Sequence, residues 1–129
     1  MSFASPFPDV DLPTVSVYDY LFADMSPADA NRIAMVDAKS GTETSYGDLV
    51  RRIDSFAGGL AARGIGVGDV VALLSPNSSG FAIAFHGILR AGATATTVNA
   101  LFTARDITKQ LKDSGARLLV TVNALLPQA

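Results

Sequence analysis

Three groups of residues have the types and spacing to do chemistry. Gly64-Ile65-Gly66-Val67-Gly68 carries the alternating glycines that let a backbone approach a pyrophosphate. A dinucleotide loop of that kind follows a strand and opens a helix. Here the glycines follow a helical pattern and open a strand, so they read as a structural turn. Ser75-Pro76-Asn77-Ser78-Ser79-Gly80 does stand between a strand and a helix N-terminus, where backbone N–H groups can hold an anion. It contains no lysine and lacks the spacing of a phosphate loop, so helix capping is its first reading and anion binding its second. Arg90 is the only formally charged side chain between Val70 and Ala104. In the last turn of a helix its cation meets the favourable end of the dipole, and a guanidinium there could also bind a phosphate.

The other candidates lead away from catalysis. His86 is the only histidine and there is no cysteine, so no His/Cys metal site can be assembled. On an apolar helix its imidazole reads as a hydrogen-bonded packing residue. The aspartates are dispersed over separate elements, which leaves no carboxylate pair for acid/base work. The sequence therefore assigns no catalytic residue and no metal ligand.

The elements that must position these residues follow from periodicity. Val70 to Ser75 is a short, continuously apolar, β-branched-rich run, the pattern of a strand covered on both faces. Phe81 to Leu89 is apolar nearly all round, which for a helix means burial on more than one side. Gly92 stops it, and Ala93 to Val98 is the next strand, so strand, helix and strand make a right-handed crossover. Leu118 to Val122 is a third buried strand. Between them Thr103 and Asp106 open a helix with a stripe at Ile107 and Leu111, closed by Gly115. Upstream, Ser45 with Asp48 as a capping-box partner opens the clearest helix, with Leu49, Ile53, Phe56, Ala57 and Leu60 on one stripe and Gly64 at its end. Ile33 to Asp37 and Thr42 to Ser45 flank Gly41 as an antiparallel hairpin. Thr14 or Ser16 caps a helix from Val17 to Met25, ended by Ser26-Pro27, and residues 1–13, with three prolines, form an extended arm. Asn123 is a cap for an element cut off at Ala129. The fold class is α/β, a three-layer parallel βαβαβ core with a small hairpin apart from it.

Composition narrows the partners. The net charge of -2 and the scattered Lys and Arg residues offer no basic face for nucleic acid. The absence of cysteine fits a reducing cytoplasm, and the N-terminal residues carry no basic region of a signal peptide. Pro76, Asn77 and Gly80 interrupt the uncharged stretch, so it is not a membrane span. At 129 residues the chain is one domain by length, and 49% apolar with 17% charged residues is apolar for a free-standing domain. It reads as an incomplete subdomain of something larger.

In order along the chain, the junctions resemble the N-terminal part of the adenylate-forming superfamily of acyl-CoA and aryl-CoA ligases. Members similar to 4-coumarate:CoA ligase and fatty acyl-CoA ligase are the nearest in pattern. Ser45-Tyr46-Gly47-Asp48-Leu49 matches the Tyr-x-Glu/Asp-Leu helix start of that family, and Gly64 to Ala72 matches its Gly-Val/Ile-x-x-Gly-Asp-x-Val-Ala turn. Pro76-Asn77 followed by Phe81 matches Pro-Asn-x-x-x-Phe. Gly92-Ala93, Asn99, Thr103 and Asp106-Ile107 continue in the family's order. Ala100 departs from its usual Asn-Pro. The resemblance covers residues 14–122, leaving 1–13 as the arm and 123–129 as a truncated end.

The resemblance implies an enzyme in which a carboxylic acid attacks ATP to give an acyl-adenylate and pyrophosphate, and the CoA thiol then displaces AMP. Magnesium serves the phosphates, and domain rotation separates the two steps. The Ser/Thr/Gly-rich loop ending in Pro-Lys, the ribose-binding Asp motif and the C-terminal lysine domain are not in this sequence. The remainder of its own polypeptide is therefore the expected partner, the chain by itself is expected to be inactive, and its uncovered apolar surface is expected to drive self-association. The resemblance further implies a basic group near CoA at Arg90. A reading from another class is a self-contained flavodoxin-like or receiver-like binding module. A receiver needs clustered acidic residues at strand ends, which are not found, and a flavin domain needs a hydroxyl-rich loop, which only Ser78-Ser79 suggests.

Overall fold

Five hydroxyl residues stand in extended conformation one position ahead of a helix, and each accepts a hydrogen bond from the third backbone N–H after it: Ser16, Ser26, Ser45, Ser78 and Thr103. Capping of this kind satisfies donors that a helix leaves unpaired and fixes where it begins. In the computed structural model, which describes residues 5–129, the helices so started are α1 (Val17–Phe22), α2 (Pro27–Ala30), α3 (Tyr46–Ala61), α4 (Ser79–Arg90) and α5 (Ala104–Ser114). The strands are β1 (Ile33–Val36), β2 (Glu43–Ser45), β3 (Val70–Leu74), β4 (Thr94–Val98) and β5 (Leu118–Thr121).

β1 and β2 pair antiparallel as the expected hairpin, with Gly41 at φ 72° in its turn. The other strands form one parallel sheet in the order β4-β3-β5. The chain leaves β3 for β4 on one side, then crosses back over β3 to β5. Right-handed crossovers in opposite directions put their helices on opposite faces. Accordingly Val71 and Leu73 pack with Leu60, Ala84 and Ile88 of α3 and α4, while Ala72 and Leu74 pack with Ile107 of α5. The three-layer α/β core read from the sequence is the one observed.

Burial is uneven across the sheet. Val71 to Leu74 of the central strand are at most 1% exposed, whereas all four residues of β5 are half-buried and β4 is mixed. The expectation of three buried strands therefore holds for one, because β4 and β5 are edges with a neighbour on one side only. α4 meets the sheet through Ala84 and Ile88, and also α3 and α1, but only Ala84, Gly87 and Ile88 are buried, so the burial expected from its all-round apolarity is realised in part. Helix α3 comes so close at Gly87 that a Cβ there would lie 2.6 Å from Phe56 Cδ1.

Three local expectations need correction. α1 ends at Phe22 instead of Met25, because Ser26 starts a second helix with Pro27 in its first turn, where the missing N–H costs nothing. At α3 only the Ser45 half of the capping box forms, since the Asp48 carboxylate pairs with Arg51 one turn on. At α5 both halves form. Asn123 caps nothing: it is the first residue of a closing 3-10 helix, Asn123–Gln128, whose cap position is Val122. Residues 5–13 of the predicted arm have no regular structure and are exposed, and residues 1–4 lie outside the described residues.

Candidate functional site

The two ends of α4 lie at opposite edges of the parallel sheet and hold different chemistry. At its start, where β3 and β4 end, Ser75, Pro76, Asn77, Phe81, Thr97, Val98, Asn99 and Ala100 line a cleft of about 430 Å3. The crossovers that leave β3 and its neighbour β4 run to opposite faces, so the cleft lies outside the carboxyl ends of these strands at the switch point, where open α/β sheets bind ligands. Its lining has no charged side chain. Neutral groups supply its polarity, and two are already used: Ser75 Oγ donates to the Pro76 carbonyl and Asn99 Oδ1 accepts from Leu101 N, while Ser78, next to the lining, caps α4. The Asn77 side chain makes no hydrogen bond within the described residues. Phe81 supplies an aromatic wall, stacked at 6.2 Å on Phe85 of the next turn.

At its other end α4 meets α1 and α3. Arg90 Nε donates to Asp54 Oδ1 at 3.2 Å, Tyr18 Oη donates to the same oxygen at 2.9 Å, and the guanidinium lies 4.4 Å from the centre of the Tyr18 ring. One carboxylate thus ties three helices, and a cation over an aromatic face adds to the tie. Burial, and then the hydrogen bond to the Asp54 carboxylate, push the Tyr18 phenol above its ordinary range. The bond to Asp54 holds the Arg90 guanidinium more firmly charged still. One turn earlier, His86 stands edge-on to Phe22 and Phe85, with ring centres 5.8 and 5.5 Å away. Its Nδ1 is buried with no partner, and burial lowers its pKa. The sequence reading of a hydrogen-bonded packing histidine is corrected accordingly: it packs, but that nitrogen is unsatisfied.

The sequence candidates separate cleanly on this frame. The Ser75 to Gly80 turn lies at the cleft and caps its helix. The glycine turn lies at the opposite edge of the sheet, where the Asp69 carboxylate accepts from Gly66 N at 2.9 Å and from Arg117 at the start of β5. Those bonds, Arg117 first, hold the Asp69 carboxyl below the usual carboxylate range. Arg90 is nine residues beyond Phe81, about 14 Å along the helix axis from the cleft. Asp54 and Tyr18 escaped sequence reasoning because each is 36 residues from its partner, beyond any local spacing rule. Thr97 escaped it too, and Asn99 entered only as a position of the family pattern, although strand ends flanking a reversal of direction were a usable signal for both. Among the described residues no group of three His, Asp or Glu side chains could hold a metal, and no helix is long and apolar enough to cross a membrane.

Comparison with known proteins gives a consistent result. The sequence pattern described as AMP-binding enzyme matches residues 23–129. Over 96% of this chain and 22% of its own length, the peroxisomal OPC-8:0-CoA ligase 1 of Arabidopsis thaliana is 38% identical. 4-Coumarate–CoA ligase 4 of the same plant is 34% identical over the same shares. The crystal structure of a benzoate CoA ligase from Burkholderia xenovorans superposes with a TM-score of 0.82 at 29% identity, over 89% of this chain and 23% of that one. The chain therefore spans about a fifth of the length of the curated relatives it matches.

Proposed function

This chain belongs to the AMP-binding enzyme family, and from that premise we propose that it is the N-terminal part of an ATP-dependent carboxylic acid:CoA ligase that forms an acyl-adenylate and then a thioester. The observation that carries the proposal furthest into the structure is the cleft at the ends of β3 and β4. Neutral amides and hydroxyls beside an aromatic ring suit an uncharged polar portion of a ligand, and the capped start of α4 adds the positive end of a helix dipole. In this reading the segment binds and orients. Activating a carboxylic acid with ATP needs charge to neutralise the phosphates, and the cleft lining carries none. Magnesium, which would accompany the nucleotide's phosphates, finds no cluster of ligands among the described residues.

The proposal includes several finer statements. The 129-residue chain alone is inactive, because groups that position phosphates are not part of it. It self-associates through its half-exposed β5 edge and the groove beside it, where Phe56, Leu60, Leu118 and Val120 are apolar. Arg90, 46% exposed and paired through Nε, keeps a face toward solvent that could meet a CoA phosphate. The cytoplasm is the proposed compartment, to be checked by fractionation, since one relative is by name peroxisomal.

The test is AMP release by the complete polypeptide encoded by the gene. Release that requires ATP, a carboxylic acid and CoA together supports the proposal, and hydrolysis of ATP indifferent to both acid and CoA contradicts it. For the short chain, pyrophosphate exchange above background would overturn the inactivity, and a single monomeric species at high concentration would overturn the self-association.

A further inference from the structure

We propose that α1, with the exposed residues 5–16 that precede it, is a strap latched onto α4 by the neutral imidazole of His86 and released when that imidazole takes up a proton. The geometry of the junction carries the argument. α1 is only six residues long, and the chain before it, from residue 5 to Ser16, is exposed throughout. Only two of its side chains turn inward: Tyr18, 8% exposed, and Phe22, which packs edge-to-face on His86. Beneath them lie Leu49 and Ile53 of α3. A short helix held by two aromatic side chains belongs to the part of a fold that opens locally at far lower cost than global unfolding.

The charged and titratable groups at this junction decide what a proton would do. α1 contributes Asp19 and the Tyr18 phenol, α3 contributes Asp54, and α4 contributes Arg90. The Asp54 carboxylate is already engaged by Arg90 and Tyr18, so it is not free to receive an imidazolium. Asp19 is engaged by Ser16 at the other end of the α1 cap. Arg90, four residues after His86 on the same helix, is a like charge on the same face, which disfavours a second cation. His86 Nδ1 is buried without a partner, so a proton there would be a donor and a charge without an acceptor. Lifting α1 away, with Phe22, opens the imidazole to water and relieves the burial penalty, while the like charge of Arg90 on the same helix is present in both states and the sheet and its other helices stay closed.

The direction with pH follows by linkage. Burial depresses the pKa of His86 in the closed state, so the open state binds the proton more tightly. Closure is then fully favoured above the open-state value near 6.5 and weakens as pH falls below it, down to the depressed closed-state value. His86 is the only histidine, so no other side chain of the chain has an ordinary pKa in that range.

Hydrogen exchange of the α1 amides tests the latch. Tyr20 N bonds to the Ser16 carbonyl and Ala23 N to the Asp19 carbonyl, so both report on this helix. Between pH 7.5 and 5.5 their protection factors, corrected for intrinsic rate, are expected to fall by about three- to tenfold, while those of β3 stay constant. In His86→Phe, which keeps an aromatic ring without a titrating group, the fall should vanish. Asp54→Asn should lower protection at every pH without adding a slope. Flat protection in the native chain, an equal fall in His86→Phe, or a fall shared by β3 would overturn the proposal. Should His86→Phe fail to fold, the His86 ring resonances of the native chain decide instead: a midpoint coinciding with the loss of α1 protection supports the latch, and a midpoint at 6.5 or above contradicts it.

Discussion

The two ends of α4 differ in how they use polarity. At the start of the helix, neutral side chains line an open cleft and one amide, Asn77, has no partner within the described residues. At its finish, one aspartate, one arginine and one tyrosine satisfy each other across three helices, with only the buried His86 nitrogen unmatched. Groups that already have partners hold a fold together, whereas groups left unpaired at a strand-end cleft are available to a ligand. The contrast gives one end of the helix a structural role, with only the solvent face of Arg90 left over, and leaves the other end as the chief place for the recognition proposed above.

The largest effects are expected where the structural end of α4 meets the core. Ile88→Ala removes a side chain that is 0% exposed between the sheet and α3, and should cost about 2–5 kcal/mol in a urea melt. Gly87→Val should cost about 1–3 kcal/mol, because the new side chain must displace Phe56 of α3, which already lies within clash distance of a Cβ at this position. If the valine variant were as stable as the native chain, the helices would not be locked together at this point and the contrast would lose its mechanical basis.

Smaller changes sharpen the comparison. Tyr18→Phe keeps the ring and deletes the hydroxyl that donates to Asp54, and should lower stability by about 1 kcal/mol in the same melt. The Asp69 carboxyl adds a pH-dependent part. Its pKa is held down in the folded chain by Arg117 and Gly66 N, so its stabilisation is present above the ordinary carboxylate value and is lost as pH falls through the depressed one. Acid unfolding of Asp69→Asn should accordingly show a shallower loss of melting temperature below pH 4 than the native chain. At the recognition end, Asn77→Ala should change stability by less than about 0.5 kcal/mol, since the side chain is exposed and touches no partner.

How far the sequence reveals this arrangement depends on the range of the interactions. Hydrophobic period and cap chemistry act within one element, so the helix from Tyr46, its Leu49, Ile53, Ala57 and Leu60 stripe, the Val70 strand and the Thr103 box are all legible from neighbouring residues. The split of Ser26-Pro27 into a new helix was not, because Pro27 serves equally to end one helix and to begin another. Edge burial was not legible either: Leu118 to Thr121 is as apolar as a central strand, and its half-exposure follows only from strand order. Arg90 could be recognised as the sole charge of its stretch, yet its partners Asp54 and Tyr18 are fixed by tertiary packing alone. The cleft was half legible, through the turn after β3 and not through Thr97 near the end of β4 and Asn99 just beyond it.

One measurement sets the two ends of α4 directly against each other. In the complete polypeptide, Asn77→Ala and Asp54→Asn are compared with the native enzyme for melting temperature and for the KM of ATP and of CoA. The account predicts that Asn77→Ala raises at least one KM with the melting temperature unchanged, and that Asp54→Asn lowers the melting temperature with the KM of ATP unchanged. An Asn77→Ala enzyme with native KM values, together with an Asp54→Asn enzyme of native stability and a raised KM of ATP, would reverse the assignment and contradict it.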